Sequence, residues 1–416
     1  MEIAQNFRRT KLACFSAYIT MASVFCVPPL LFVTFREMYG ISYTLLGTLV
    51  LINFITQLSI DLIFTFFAKF FNAKRMVRVM PILTSAGLAL YALIPSLFPD
   101  FAYLGLVFGT VIFSVSAGLS EVLLSPIVAA IPSKNPQRDM SFLHSLYAFG
   151  LLFAVVFSTL FLKIFGNENW AYLLYTLALF PLLSAVLFMT SPMPDMSGED
   201  SKSTLVGSKE RTIALALCVG CIFTGSCAEN VMSNWISSFM ENALGIDKTL
   251  GDILGVAVFA VLLGLERILY ARFGKKIAPV LLVGMAMCTL CYFVVGLSSS
   301  AILSFIACIL VGFFSAMLWP GTLILMEDNI KHPGVTAYAL LAAGGDLGAS
   351  VAPQLVGIVT DTVAVSDLDA NLAPTLGITP EQLGMRTGML INAIFPLLGI
   401  AILLITFRYF KKHKDL

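Results

Sequence analysis

The chain has 416 residues, of which 58% are hydrophobic and only 12% charged, with a formal net charge of +1 and a mean hydropathy of +0.92. A soluble domain carries about 25% charged residues, so this composition indicates an integral membrane protein. The near-zero net charge argues against a nucleic-acid partner, because such a partner is bound through a concentrated basic patch.

The apolar residues fall into twelve segments, each close to or longer than the roughly 20 residues that a spanning helix needs. Because every backbone polar group must be satisfied inside the lipid core, segments of this length predict α-helices. The expected fold class is therefore an all-α membrane protein with 12 transmembrane helices. The predicted helices 1 to 12 span 12–35, 43–67, 77–97, 102–131, 140–163, 170–190, 212–240, 250–271, 277–297, 301–326, 335–362 and 387–408.

A polar stretch at 191–211, rich in Pro, Ser and Gly, divides these helices six to six. The two halves show weak internal similarity, since Ser116 and Ser315, each followed by Ala, lie 199 residues apart at matching places. Parallel repeats of this kind are typical of transporters. The sequence thus predicts two pseudo-symmetric six-helix bundles, at 1–190 and 212–416, joined by a cytoplasmic linker.

The basic residues predict the orientation, because cytoplasmic loops carry an excess of Lys and Arg. With both termini inside, the inner side holds 20 of the 25 Lys and Arg residues, the outer side holds four, and Arg267 lies within helix 8. We therefore expect a multi-pass protein of the bacterial plasma membrane (the cytoplasmic membrane) with N- and C-termini in the cytoplasm. The four outer residues are Arg36, Lys163, Lys248 and Arg386.

No catalytic or metal-binding pattern stands out in the sequence. The eight cysteines lie almost entirely in apolar segments, and the single C-x-x-C at Cys218 and Cys221 has no companion pair or histidines to complete a metal site. A phosphate-binding glycine loop and a catalytic triad signature are both missing. We expect no enzymatic activity, no cofactor and no bound metal, so the energy for transport has to come from a gradient.

Helices 2 and 4 each carry an acid inside an apolar segment, Asp61 and Glu121. An acid near a bilayer centre costs about 2.5–3.5 kcal/mol on insertion scales, so such residues usually face a bundle interior or a water-filled path. Glu121 is 13 residues from Lys134, roughly 20 Å along a helix, which is too deep to reach the surface. Glu121 is the leading candidate for proton coupling and solute contact, and Asp61 is a second proton-coupling candidate or a structural partner of a basic residue.

Helix 7 carries a polar and aromatic cluster formed by Glu229, Asn230, Asn234 and Trp235. Such a cluster suits the hydroxyls and the flat face of a sugar ring. We expect Trp235 to line a wet cavity, so that its replacement by Ala weakens binding more than folding. Glu229 also fits a position near the outer mouth of a pathway.

Three further positions have both a functional and a structural interpretation. His144, near the inner end of helix 5, fits solute binding or proton relay, or a hydrogen-bonded structural role. Asp346 on helix 11 follows two glycines that let helices approach closely or line a cavity, so it is a site residue or a partner of a basic neighbour. The adjacent Glu266 and Arg267 on helix 8 favour a structural ion pair with other helices.

Basic loops follow helices 2 and 8, with the sequences F-F-N-A-K-R at 70–75 and R-F-G-K-K at 272–276. Together with twelve helices and a central linker, they make the whole chain resemble the major facilitator superfamily. The usual signature after helix 2, approximately G-x-L-A-D-R-x-G-R-K, is present here only as A-K-F-F-N-A-K-R, with Lys69 where the aspartate stands. The resemblance implies a transporter whose two halves share a central pathway.

Within that superfamily the motifs are most similar to those of the fucose permease-like sugar:proton symporters. Their helix 4 pattern G-x-x-x-E-x-x-x-N-P is matched by A-G-L-S-E-V-L-L-S-P, which places Glu121 on the acid. Their helix 5 pattern N-x-x-[HQ] puts His144 in register, and G-A-[EQ] with a downstream Trp on helix 7 corresponds to Glu229 and Trp235. The second functional acid of that family, on helix 1, has no counterpart in V-F-C-V-P-P-L-L-F.

The resemblance implies proton-coupled uptake of a sugar or similar small polar solute by alternating access. Its expected partners are the solute, protons and the lipid bilayer, and we expect a monomer. One alternative is proton-driven efflux of amphipathic compounds, which a central cavity lined mainly by Phe, Met and Leu would favour. Another is a non-transporting membrane sensor, which would normally need an added soluble signalling segment.

Overall fold

The computed structural model describes residues 7–67, 70–133, 136–194, 209–274, 276–331 and 334–413. Within these ranges all regular secondary structure is helical, in agreement with the predicted all-α class. Eleven helices there are long and apolar enough to cross a membrane, and the remaining predicted span has the apolar segment Phe149–Phe165. The middle of the predicted linker, 195–208, lies outside the described residues.

The helices follow the predicted segments closely, with additional breaks. Those of the first half are α1 Arg8–Leu30, α2 Phe32–Tyr39, α3 Tyr43–Phe67, α4 Ala73–Leu97, α5 Ala102–Ala130, α6 Pro136–Phe165 and α7 Trp170–Thr190. Those of the second half are α8 Lys209–Ser238, α9 Lys248–Leu250, α10 Val258–Phe273, α11 Ile277–Leu297, α12 Ala301–Ser315, α13 Leu318–Asn329, α14 Gly334–Ala364, α15 Asp367–Leu376, α16 Pro380–Asn392 and α17 Ile394–Lys412.

The predicted helix 1 is not continuous, because it breaks at Leu31 between α1 and α2. Pro28 and Pro29 have no backbone N–H, so they interrupt the hydrogen-bond ladder of an α-helix. The Leu31 amide instead donates to the Pro28 carbonyl at 3.0 Å. Predicted helix 12 likewise breaks at Ala393, just before Pro396.

Two π-helical segments, Phe239–Ala243 and Gly251–Ala257, lie where predicted helices 7 and 8 are connected. A charge cluster lies at this connection: the Lys248 ammonium is 3.4 Å from Asp252 and 3.8 Å from Glu241. Asp252 is only 1% exposed. The cluster fixes the end of α8 that follows the predicted helix 7 site residues.

By contact the chain divides into two units, the first made of 1–39 and 56–200 and the second of 40–55 and 201–416. Helix α3 therefore contributes its first part to the second unit and its remainder to the first. The boundaries predicted from the polar linker stay a prediction, and the grouping of 40–55 with the second unit has no counterpart in the sequence pattern.

In the first unit, α4 packs along α5 and α7, and α1 packs along α6 and α7. Glycines allow α4 and α5 to approach closely. A Cβ at Gly87 would stand 2.6 Å from the Phe113 amide nitrogen, and a Cβ at Gly109 would stand 2.6 Å from the Tyr91 Cα. This contact fixes α5, the helix that carries Glu121.

In the second unit, α14 packs along α8 and α16. A Cβ at Gly348 would stand 2.4 Å from the Phe223 carbonyl oxygen, so the glycines of α14 permit close packing on α8. The beginning of α3 also joins α14, because the amides of Tyr43 and Thr44 donate to the two carboxylate oxygens of Asp361 at 3.2 and 2.6 Å. A carboxylate at a helix N-terminus satisfies amides that have no partner within the helix.

Candidate functional site

Asp61 and Glu121 lie on two helices that touch, α3 and α5. A Cβ at Gly118 would stand only 2.9 Å from the Ile60 Cβ and 3.3 Å from the Gln57 Cα, so the glycine is what permits the contact. Asp61 directly follows Ile60, and Glu121 lies about one helical turn beyond Gly118. The structure therefore brings the two acids predicted for proton coupling to the same helix crossing within the first unit.

Glu121 lies on a helix that packs into an apolar cluster. It is partly exposed, and its helix neighbours Leu119, Leu123 and Leu124 belong to a buried cluster with Tyr18 of α1. Tyr18 lies within Coulombic range of the carboxylate. Among the described residues, Glu121 forms no ion pair. The role of Glu121 in proton coupling stays a prediction.

A polar stripe on α3 was missed by the sequence interpretation. Asn53, Gln57 and Asp61 are spaced four residues apart and therefore lie on one face of the helix. All three are buried, with 8%, 1% and 7% of their surface exposed. The signal was present as polar residues at helical spacing within an apolar segment.

Glu229 on α8 is placed beside a positive charge. Its Oε1 lies 3.9 Å from an Arg267 guanidinium nitrogen, with the two side chains 21% and 41% exposed. The Arg267 Nε also donates to the Ala316 carbonyl at 3.0 Å. Pro320 cannot donate to that carbonyl in the usual helical way, so Arg267 satisfies it at the break between α12 and α13. The expected ion pair with another helix is found for Arg267, but Glu266 forms none among the described residues.

Asn230 and Asn234 use their side-chain N–H groups within α8. The Asn230 amide donates to the Ser226 carbonyl at 3.1 Å, and the Asn234 amide donates to the Asn230 carbonyl at 2.9 Å. In the part of the chain that the structure describes, neither side-chain oxygen accepts a hydrogen bond. Each amide thus offers an acceptor for a hydroxyl donor.

Trp235 is completely buried, and its indole N–H donates to the Pro353 carbonyl at 2.9 Å. Its ring lies 5.9 Å from that of Tyr43, whose hydroxyl accepts a hydrogen bond from Asn242 at 3.1 Å. The expectation that Trp235 lines a wet cavity is therefore wrong, because its surroundings are packed side chains. Its direct contact with a solute stays a prediction.

Trp319 on α13 is partly exposed and was not selected from the sequence. A Cβ at Gly345 would stand 2.2 Å from the Trp319 ring, so the indole lies directly against the α14 backbone. The next residue, Asp346, is 5% exposed. The glycine pair in helix 11 thus has two uses, since Gly344 lies against α8 and Gly345 receives the indole.

Among the described residues, the remaining positions predicted from the sequence do not form a second site. His144 lies on α6, but its side chain is outside the described residues, so its role stays a prediction. All eight cysteines are buried free thiols. In the described ranges no group of three or more His, Cys, Asp or Glu is arranged to hold a metal ion.

The profile of the Major Facilitator Superfamily matches residues 13–353. No curated protein sequence matches the chain.

Several solved structures are similar over nearly the whole chain. One is a bacterial homologue of the human lysosomal transporter Spinster, in an inward-facing and occupied conformation, with a TM-score of 0.74, 16% identity and 99% of both chains covered. A D-xylose-proton symporter gives a TM-score of 0.72 at 14% identity, covering 93% of this chain and 96% of its own. The nucleoside transporter NupG gives 0.69 at 16%, covering 96% and 98%.

Proposed function

Because this chain belongs to the Major Facilitator Superfamily, we propose that it is a proton-coupled transporter that takes up a sugar or a similar small polar solute by alternating access. The observation that carries the proposal is the crossing of α3 and α5, where Gly118 brings Asp61 and Glu121 into one neighbourhood. Acids inside membrane-spanning helices are energetically costly and rare, and they usually mark functional sites.

Glu121 is the proton carrier in this proposal. It makes no ion pair among the described residues, so no fixed positive charge holds it in its ionised form. A carboxylate in an apolar setting changes its charge with its surroundings, which is what a carrier needs to load and release a proton. Asp61, at the same crossing, is placed to influence that exchange by like-charge repulsion.

The solute contacts in the second unit are Glu229, Asn230, Asn234 and Asp346. Arg267 keeps the Glu229 carboxylate beside a positive charge, and the carboxylate oxygens are acceptors for hydroxyl groups. The two asparagine oxygens add further acceptors at neighbouring positions of α8. Hydroxyl-rich solutes match such a set of acceptors.

The aromatic contact in this proposal is Trp319 rather than Trp235. Trp319 is partly exposed beside Asp346, and an indole offers an apolar face to a sugar ring or a nucleoside base. The similar structures include a symporter named for D-xylose and a transporter named for nucleosides. Both solute classes combine hydroxyls with a flat ring face, so both belong in the first panel of compounds.

The decisive test compares wild type with Glu121→Gln in proteoliposomes. Labelled pentoses, hexoses and nucleosides are screened first under a pH gradient of one unit, which drives up to about tenfold accumulation for one proton per solute. With the solute so found, Glu121→Gln is expected to lose gradient-driven accumulation. It is expected to keep exchange of labelled for unlabelled solute, because exchange needs no net proton movement.

Asp100→Asn serves as the matched control, because Asp100 is an exposed carboxylate in the turn before α5. It should accumulate solute as the wild type does. Failure of every compound in the panel to accumulate would contradict the proposed solute class. Wild-type accumulation by Glu121→Gln would contradict the role of Glu121, and Asp61→Asn would then be the next variant to measure.

A further inference from the structure

Glu266 lies in a groove of the second unit that is distinct from the Glu229 cluster. The groove has a volume of ≈ 250 Å³ and is formed between α10, α11 and α12. Apart from Glu266 its walls are apolar, and two of them are phenylalanine rings. The other lining residues are Pro279, Val280, Val283, Gly284, Phe313 and Phe314.

The Glu266 carboxylate places an oxygen without a hydrogen-bond donor in this groove. Its Oε2 is buried and accepts no hydrogen bond from any described residue. The adjacent Arg267 is engaged elsewhere, with the Ala316 carbonyl and Glu229. A buried charged oxygen without a partner is unfavourable, so the groove favours an occupant that supplies a donor or a positive charge.

The exposed surroundings of the groove are apolar. Val283, one of its lining residues, is 55% exposed, and Ile268 on the neighbouring turn of α10 is 65% exposed. Both residues lie within helices long and apolar enough to span a membrane. An occupant that reaches Glu266 along this face has to be compatible with hydrocarbon, which excludes free sugars and inorganic ions.

We propose that this groove binds a small lipophilic cation, such as a quaternary ammonium group that carries a short apolar substituent. The positive charge would face Glu266, and Phe313 and Phe314 would contribute cation–π attraction and apolar contact. The volume is below the roughly 300–1,000 Å³ of pockets for drug-sized ligands, so the occupant is small. The proposal is independent of the transported solute.

The test measures binding of radiolabelled benzyltrimethylammonium to the purified full chain in dodecyl maltoside, whose head group is uncharged. Wild type is expected to bind saturably at one site per chain. Glu266→Gln, which removes the charge at nearly constant size, is expected to bind at least tenfold more weakly. Neopentylbenzene, the neutral isostere of the cation, is expected to compete at least tenfold less well than unlabelled benzyltrimethylammonium.

A second variant tests the groove without altering the acid. Val283→Trp fills the space from its exposed side and is expected to abolish binding, whereas Ile268→Trp, exposed outside the groove, is expected to leave it unchanged. If Glu266→Gln does not fold, these two tryptophan variants still test whether the cation binds in the groove. Absence of saturable binding to wild type, equal binding by folded Glu266→Gln, or equal effects of the two tryptophans would each overturn the proposal.

Discussion

The two acid-bearing regions treat a carboxylate in opposite ways. At the crossing of α3 and α5, Glu121 lies close enough to Tyr18 to interact with it electrostatically and forms no ion pair among the described residues. On α8, Glu229 lies 3.9 Å from Arg267, which also holds the Ala316 carbonyl. Glu121 thus has no ion-pair partner among the described residues, whereas Glu229 lies beside a positive charge.

In the proposed function, this difference separates the proton carrier from a solute contact within one chain. A carrier acid must alternate between two protonation states, so a permanent counter-ion beside it would be a disadvantage. An acid that accepts hydroxyl groups works better with a constant charge and a fixed position, which a partner provides. The following variants test whether this division holds.

The largest effect on stability is expected for Trp235, which lies in the second region and is held by packing rather than by charge. Trp235→Ala removes a fully buried indole together with its hydrogen bond to Pro353. Loss of a buried Trp costs about 3–5 kcal/mol, so we expect a drop of that size in the free energy of unfolding, measured by titration with SDS in mixed micelles.

Trp319→Ala is the matched comparison, because Trp319 is partly exposed and rests against Gly345. We expect a loss of about 1 kcal/mol or less in the free energy of unfolding, as for surface substitutions. Affinity for the transported solute should fall more than stability does. Equal destabilisation by the two alanine variants would show that both indoles are packing residues.

The next effect concerns the ion pair itself. Arg267→Met removes the charge next to Glu229 and the donor to Ala316, and we expect it to lower the free energy of unfolding by about 1–3 kcal/mol. Adding Glu229→Gln should recover part of that loss, because the uncompensated carboxylate is then gone. A double-mutant cycle from SDS titrations measures the coupling. Strict additivity would indicate that the 3.9 Å pair contributes nothing.

A smaller effect on stability than that of the buried indole or the ion pair is expected at the crossing of α3 and α5. Gly118→Ala places a Cβ 2.9 Å from that of Ile60, which forces the helices apart at a cost of about 1–2 kcal/mol. Because Asp61 and Glu121 lie at this crossing, the pH-driven accumulation ratio should fall while solute exchange persists.

Gly264→Ala in α10 is the control for that variant, since a Cβ there would meet nothing within 4 Å. A helical Gly→Ala change without a clash is expected to stabilise by about 0.5–1 kcal/mol. If Gly118→Ala is equally stabilising and transports normally, the close contact at Gly118 is not required for coupling.

Much of the fold was predictable, because segment length and hydropathy report directly on the bilayer. The breaks within the predicted helices were less predictable. Pro28 and Pro29 both lie inside an uninterrupted apolar run, and α1 ends just after them, at Leu30. The break after α12 depends on Pro320 and also on Arg267, which lies 49 residues away from the carbonyl that it satisfies. A hydrogen bond between residues so far apart in the chain cannot be recognised from a local sequence pattern.

The sequence by itself determined the membrane class, the helical spans and the residue types worth testing, because these follow from the cost of placing charge and backbone in lipid. The tertiary structure decided which neighbours each side chain contacts and how far it is buried. Trp235 and Trp319 have the same chemistry, yet packing against Tyr43 and Pro353 buries the first completely. The second lies against Gly345 and stays partly exposed. Burial and charge pairing depend on neighbours from distant segments, and those neighbours are set only when the helices pack.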